Sequence, residues 1–138
     1  MRALSLVLLI FAGPVVADVT PFQTPSGNIE CYVGTGEAPS DIGCTIYNRA
    51  GPPALPRPDS CKGAWGHHFS MMERGKVEMK CGDPGEQDND PDIYVEKATY
   101  GQTGEFGGIT CQSSRKGLEC KNADGHGFFL SRKRQSVF

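Results

Sequence analysis

Asn28-Ile29-Glu30-Cys31-Tyr32-Val33 alternates apolar and polar side chains without a break. Side chains two apart share one face of a strand, so Ile29, Cys31 and Val33 point one way and Glu30 and Tyr32 the other. The same device recurs along the chain. An apolar residue stands two places before Cys44 (Ile42), Cys81 (Met79), Cys111 (Ile109) and Cys120 (Leu118). Only Cys61 departs from it, with Asp59 in that place. Five of six cysteines are therefore expected on the buried face of a strand, a period that helices do not produce.

Other strands follow from the same reading. Ile42 to Tyr47 puts Ile42, Cys44 and Ile46 on one face, and the turn-rich stretch 34–41 joins it to the first strand as a hairpin. Val77-Glu78-Met79-Lys80-Cys81 alternates as well, and the turn Glu73 to Lys76 makes His68 to Met72 its partner. A short helix over 65–72 competes there, because Trp65, Phe69 and Met72 have i, i+4, i+7 spacing, but Gly66 and Gly75 favour the strand. Gly108 to Gln112 and Leu118 to Lys121 flank a tight turn in which Gly117 takes a positive φ. Gly127 to Ser131 is a last strand. The four prolines of Gly51 to Pro58 mark an extended surface connector, whose PxxP spacing at Pro53 to Pro56 is read as stiffness and not as a ligand motif. Residues 82–92 read as an acidic surface loop.

The predicted fold is all-β: a small antiparallel sheet, sandwich or barrel built from hairpins. Ile29, Val33, Ile42, Ile46, Val77, Met79, Ile109, Leu118, Phe128 and Leu130 are its expected core.

The chain has 138 residues, 18 glycines, 10 prolines and a net charge of −2. Residues 1–17 read as a signal peptide, with Arg2 before an apolar run and small residues ahead of Asp18; residues 18–138 then form one domain. The apolar run, about 14 residues, is shorter than the roughly 20 that span a bilayer, and no second run follows it, so no transmembrane segment is expected after cleavage. Location is expected in the periplasm or outside the cell. Six cysteines in an exported chain read as three disulfides, not as metal ligands, since Cys-x-x-Cys is absent. Six cysteines allow fifteen pairings. Hairpin geometry favours Cys31–Cys44 and Cys111–Cys120, which leaves Cys61–Cys81. Gly27 to Cys31 and Lys116 to Cys120 echo one another, as two similar hairpins or an old duplication.

Candidate chemistry is sparse. His67, His68 and His126 are the possible bases or ligands, but adjacent strand positions face opposite ways, so His67 and His68 cannot share a site. Asp88, Asp90 and Asp92 open like a calcium loop; Ile93 and Thr99 stand where an EF-hand needs Gly and Glu. Asp124 lies near His126, but no Gly-x-Ser-x-Gly elbow accompanies them, and Ser26 is read as turn chemistry. The balance of charge gives no reason to expect nucleic acid. The basic stretch Ser131 to Phe138 is read as a solvated tail that could touch anionic headgroups. The terminal Phe138 does not make an outer-membrane barrel, for which the strands are too short.

Thr24 to Cys31, Trp65-Gly66, Cys81-Gly82-Asp83, Tyr100-Gly101, Ile109 to Ser114, Gly117 to Asn122, Gly125 to Phe128 and Ser131-Arg132 follow in an order that resembles a family of small exported bacterial proteins classed as a domain of unknown function. The resemblance covers about residues 22–132 and departs at Ala98-Thr99, where Leu-Pro is usual. It implies export and a shared cysteine-containing fold, and it brings no activity.

The expected function is therefore that of a non-catalytic binding or envelope-accessory protein without cofactor, its partner another protein or an envelope component. A small hydrolase of envelope polymers and a calcium- or metal-dependent module are the alternatives. Trp65, His68, Tyr100 and His126 are the surface residues expected to contribute to a site.

Overall fold

The computed structural model describes residues 18–36, 39–87, 90 and 95–138. The proposed signal peptide, and Asp88, Asp92 and Ile93 of the calcium-loop reading, lie outside the described residues. Within them stand eleven strands and no helix. β1 (Asp18–Gln23), β2 (Ile29–Thr35), β3 (Asp41–Ile46), β4 (His68–Met72), β5 (Glu78–Lys80) and β6 (Glu96–Lys97) form the first sheet, in the order β5-β4-β3-β2-β1-β6. β7 (Thr103–Phe106), β8 (Ile109–Ser114), β9 (Gly117–Lys121), β10 (Gly127–Leu130) and β11 (Gln135–Val137) form the second, an unbroken antiparallel meander. All pairings are antiparallel except β1 with β6. Both sheets keep free edges, so the all-β expectation resolves to two packed sheets and not to a barrel.

The alternation quoted at the outset sets the packing. Ile29, Cys31 and Val33 of β2, Ile42, Cys44 and Ile46 of β3, Ile109 and Cys111 of β8, Leu118 and Cys120 of β9, and Phe128 and Leu130 of β10 are all buried in one cluster. Phe22, Phe69 and Met71 join them. The sheets meet through two aromatic contacts, Phe69 with Phe128 and Phe22 with Phe106, each with ring centroids 5.7 Å apart.

Three disulfides form in sequential order, Cys31–Cys44, Cys61–Cys81 and Cys111–Cys120. The first and third link directly opposite residues of β2/β3 and β8/β9, with Cα atoms 4.1 Å apart, as hairpin register requires. Cys81 departs from its expected place: it lies just past β5 and is exposed. Val77 and Met79 are only half-buried for the same reason, since β5 is a three-residue edge strand.

Two further expectations change. Glu30 sits on the outer face, as its parity demands, yet is buried, because its carboxylate accepts from Gln23 Nε2 and from the Tyr32 hydroxyl, both at 2.8 Å. The C-terminal stretch is not a solvated tail. Ser131 to Arg134 is a tight turn closed by the Ser131 hydroxyl, and Gln135 to Val137 pairs with β10. Gln135 is buried, accepts from the amide of Ala54 at 2.9 Å and donates to the carbonyl of Gly66 at 2.9 Å. One side chain of the second sheet thus holds the proline-rich connector and the loop before β4. Gly66 has φ +92°, and a Cβ there would fall 2.6 Å from the Arg49 guanidinium, so only glycine fits this crossing. At the opposite corner Asn122 donates to the carbonyls of Met72 and Gly75 at 3.1 and 2.7 Å.

These contacts give a stability prediction. Phe128→Ala should cost about 3–5 kcal/mol by emptying the space against Phe69. Gln135→Ala should cost about 1–3 kcal/mol by leaving the Ala54 amide unpaired. Urea unfolding of the oxidised protein checks both, and a Gln135→Ala midpoint equal to wild type would refute the clamp.

Candidate functional site

The meander fixes where its turns lie. β8–β9 and β10–β11 connect at the same end of the second sheet, and the chain enters β7 at that end too. The β8–β9 turn has two residues, Arg115 and Lys116, because Ser114 pairs with Gly117. The β10–β11 turn carries Arg132. The entry to β7 carries Tyr100, held by the amide of Gly101 donating to Ser113 O at 2.8 Å. From the first sheet, the β1–β2 turn brings Thr24, Ser26 and Asn28 to the same place. These turns enclose a cleft of about 260 Å³.

Its chemistry is basic and hydroxyl-rich. Arg115 stacks its guanidinium 5.3 Å from the Tyr100 ring centre. Among the described residues no carboxylate lies within ion-pair distance of Arg115, Lys116 or Arg132, and the ion pair found is Arg74 with Asp124. The hydroxyls brace the walls: Ser26 Oγ accepts from the Asn28 amide, Ser114 Oγ from the Lys116 amide, and Ser131 Oγ from the Arg134 amide. Asn28 is locked in turn by a reciprocal pair of bonds with the backbone of Asn48. Gly117 has φ +151°, and a Cβ there would meet the carbonyl of Leu130 and the Phe129 ring, which lets the basic hairpin lie close to β10.

The cleft runs into a depression of about 450 Å³ on the outer face of the second sheet, and Ser114, Lys116 and Gly117 line both. The same pairing of cation and ring continues there. Arg134 lies 4.6 Å over Phe129 and Lys121 5.9 Å over Phe138. Three cation–π pairs thus follow one another along one side of the molecule, with Tyr100 and Phe138 both about half exposed. Such pairs hold the long cations against flat apolar surfaces while leaving their donors directed outward.

Of the four residues expected at a site, Tyr100 alone lies in this cleft. Trp65 is half-buried and donates its indole N–H to Leu55 O at 2.9 Å, pinning the proline-rich connector. His68 stands in an in-register polar row that crosses all six strands of the first sheet: Lys97, Gln23, Glu30, Thr45, His68 and Lys80. Its Nε2 lies 2.9 Å from the Asp83 carbonyl, which can only accept, so the neutral ring carries its proton there and Nδ1 accepts from the Thr45 hydroxyl at 3.0 Å. Both nitrogens are engaged, and neither is free to act as a base or ligand. His126 Nδ1 donates to Phe138 O at 3.3 Å. Asp124 is turned to the β4–β5 turn, with Arg74 at 2.9 Å and the Gly75 amide at 2.8 Å, so it does not orient His126. Among the described residues no three His, Cys, Asp or Glu side chains gather as a metal site.

Sequence reasoning passed over Arg115 and Lys116, which read as turn charges, and took Arg132 only as part of the basic C-terminal stretch. Their convergence is a property of strand order, and no local signal carried it.

A family model described as a family of unknown function, DUF6636, matches residues 2–138, and the chain belongs to that family. No curated protein and no solved structure matched it. Among the described residues no helix is long and apolar enough to cross a membrane.

The Asp124 contact predicts a pH effect. The Gly75 amide holds this carboxyl below the usual carboxylate range; desolvation opposes the shift, and Arg74 and His126 add favourable charge. A depressed folded-state pKa stabilises above the unfolded value and ceases to do so as pH falls through the folded value. Asp124→Asn should therefore lower Tm at neutral pH, and the gap to wild type should close as pH falls below about 4. Tm measured from pH 7 to pH 2 checks this, and a gap that persists at pH 2 would contradict it.

Proposed function

We propose that the chain is an exported, non-catalytic binding module that docks the phosphate or carboxylate groups of an envelope component on the cation–aromatic surface running from Tyr100 to Phe138. The observation that carries this reading is the series of three cation–ring pairs, with no carboxylate paired to Arg115, Lys116 or Arg132 among the described residues. Six of the chain's 14 Lys and Arg fall between positions 115 and 134, against a net charge of −2 overall. Arginine presents paired donors to oxyanions, and the rings beside it offer flat faces to sugar or glycerol carbons. A cleft framed by turns and braced by short hydroxyl bonds is largely formed before the ligand arrives, which lowers the entropic cost of binding.

Three disulfides suit an oxidising compartment, and the apolar run 3–16 suits export to one. The non-catalytic reading is supported by the engagement of His68 and by that of Asp124 with Arg74 and the Gly75 amide.

Co-sedimentation tests the proposal in three arms: vesicles containing phosphatidylglycerol, vesicles of phosphatidylcholine alone, and soluble polygalacturonate as competitor. Binding to the anionic vesicles that weakens with salt, and competition by the acidic polysaccharide, are expected. Arg115→Ser/Arg132→Ser/Arg134→Ser should lower the affinity by roughly two orders of magnitude, at about 1 kcal/mol per cation near an anionic surface. Equal binding to both vesicle types, or an unchanged triple variant, would sink the reading.

A further inference from the structure

The two sheets part along the edge where β6 and β7 lie, and a cavity of about 180 Å³ opens between them. Its walls belong to the core. Leu118 is fully buried, and the Phe22 and Phe106 rings stack with their planes 8° apart. Gly104 also faces this space, and a Cβ there would fall 2.9 Å from the tip of the Phe106 ring, so the absence of a side chain lets that ring lie flat towards Phe22. Thr20, Gln102 and Ser113 also line it, and the apolar part bounded by Phe22, Phe106 and Leu118 takes a single aromatic or branched aliphatic group, a cavity of about 150 Å³ being enough for benzene.

The mouth has the opposite character. Glu96 and Glu105 line it, both exposed and neither in a hydrogen bond or ion pair among the described residues; Glu105 alternates with the inward Gly104 and Phe106, so its side chain leaves β7 on the outer face and Glu96 is the carboxylate on the inner side. Glu96 is the register partner of Phe22 and so leans over the inner face of the sheet edge. Lys97 next to it is turned away, its ammonium donating to Gln23. An apolar floor under an acidic edge is complementary to one kind of guest.

We propose that this cavity binds a small hydrophobic cation: an aromatic or branched apolar group seated against Phe22 and Phe106, bearing an ammonium or guanidinium that stays at the mouth beside Glu96, with Glu105 adding negative charge from the outer side of the same edge. The charge is spared full desolvation there, and the apolar body leaves water. The site prefers the opposite sign of charge from the surface proposed above and does not depend on it. The rival account is that Glu96 is an inward-pointing charge that blunts the sheet edge against pairing with another chain.

The probes are 4-fluorobenzylammonium, the neutral 4-fluorobenzyl alcohol and the anionic 4-fluorobenzoate, titrated into the oxidised protein and followed by fluorine and amide NMR. The ammonium should bind saturably, with amide shifts centred on Phe22, Ala98, Gly104 and Phe106. The alcohol should bind about tenfold more weakly, and the benzoate more weakly still. Glu96→Gln/Glu105→Gln should bring the ammonium down to the level of the alcohol and leave the alcohol unchanged. Ala98→Phe should abolish binding of both; because it alters a half-buried position, the surface double variant decides the matter if this one does not fold. Equal affinity for ammonium and alcohol, shifts centred elsewhere, or no saturable binding would overturn the proposal. So would a double variant that self-associates in sedimentation while keeping its ammonium affinity, since that assigns the carboxylates to edge protection.

Discussion

Phe69 and Phe128 touch between the two sheets, and Phe22 and Phe106 touch beside them. The molecule depends on these contacts more than on its disulfides. Cys31–Cys44 lies within the first sheet and Cys111–Cys120 within the second, while Cys61–Cys81 ties the loop before β4 to the end of β5. None joins one sheet to the other. Each sheet is stiffened covalently, but their relative placement rests on the apolar inner faces and on the polar clamps at the corners, Gln135 at one and Asn122 at another. This explains why buried amides stand at the corners. Each satisfies backbone groups of the opposite layer that would otherwise be left without partners where the sheets diverge.

The placement of the sheets decides the surfaces in turn. The basic cleft needs four turns from two sheets at one end, so it exists only when the first sheet's β1–β2 turn lies against the meander. The cavity beside Glu96 and Glu105 needs the sheets to diverge at the opposite edge of each. Both candidate sites are therefore products of how the layers are assembled, and neither belongs to a single hairpin.

The same distinction separates what the sequence discloses from what it hides. Alternation marked by cysteine disclosed β2, β3, β8 and β9, their register and their disulfides, because local parity and hairpin closure decide all three. It misplaced Cys81, since the rule of an apolar residue two places earlier cannot tell a central strand from a short edge. β1 stayed hidden behind Pro21 and a single large apolar residue, Phe22. The two-residue β6 pairs in parallel with a strand 74 positions away and leaves no local trace. β7 reads as a glycine-containing turn, and β11 follows four polar residues that look like a tail. Tyr100 could be singled out as an exposed aromatic, but Arg115 and Arg132 acquire meaning only from the order of the strands. Trp65 and His68 looked available because an indole and an imidazole are conspicuous; the Leu55, Asp83 and Thr45 atoms that occupy them come from other segments.

Each cysteine is joined to the next one along the chain, with separations of 13, 20 and 9 residues. No bridge encloses or interlaces with another. A chain that emerges from its N-terminus into an oxidising compartment can therefore close every bridge before the following pair arrives. The nearest available thiol is always the native one, so oxidation in order of emergence reaches the final connectivity without reshuffling. In the exported chain proposed above, maturation would need an oxidant but make little demand on a disulfide isomerase.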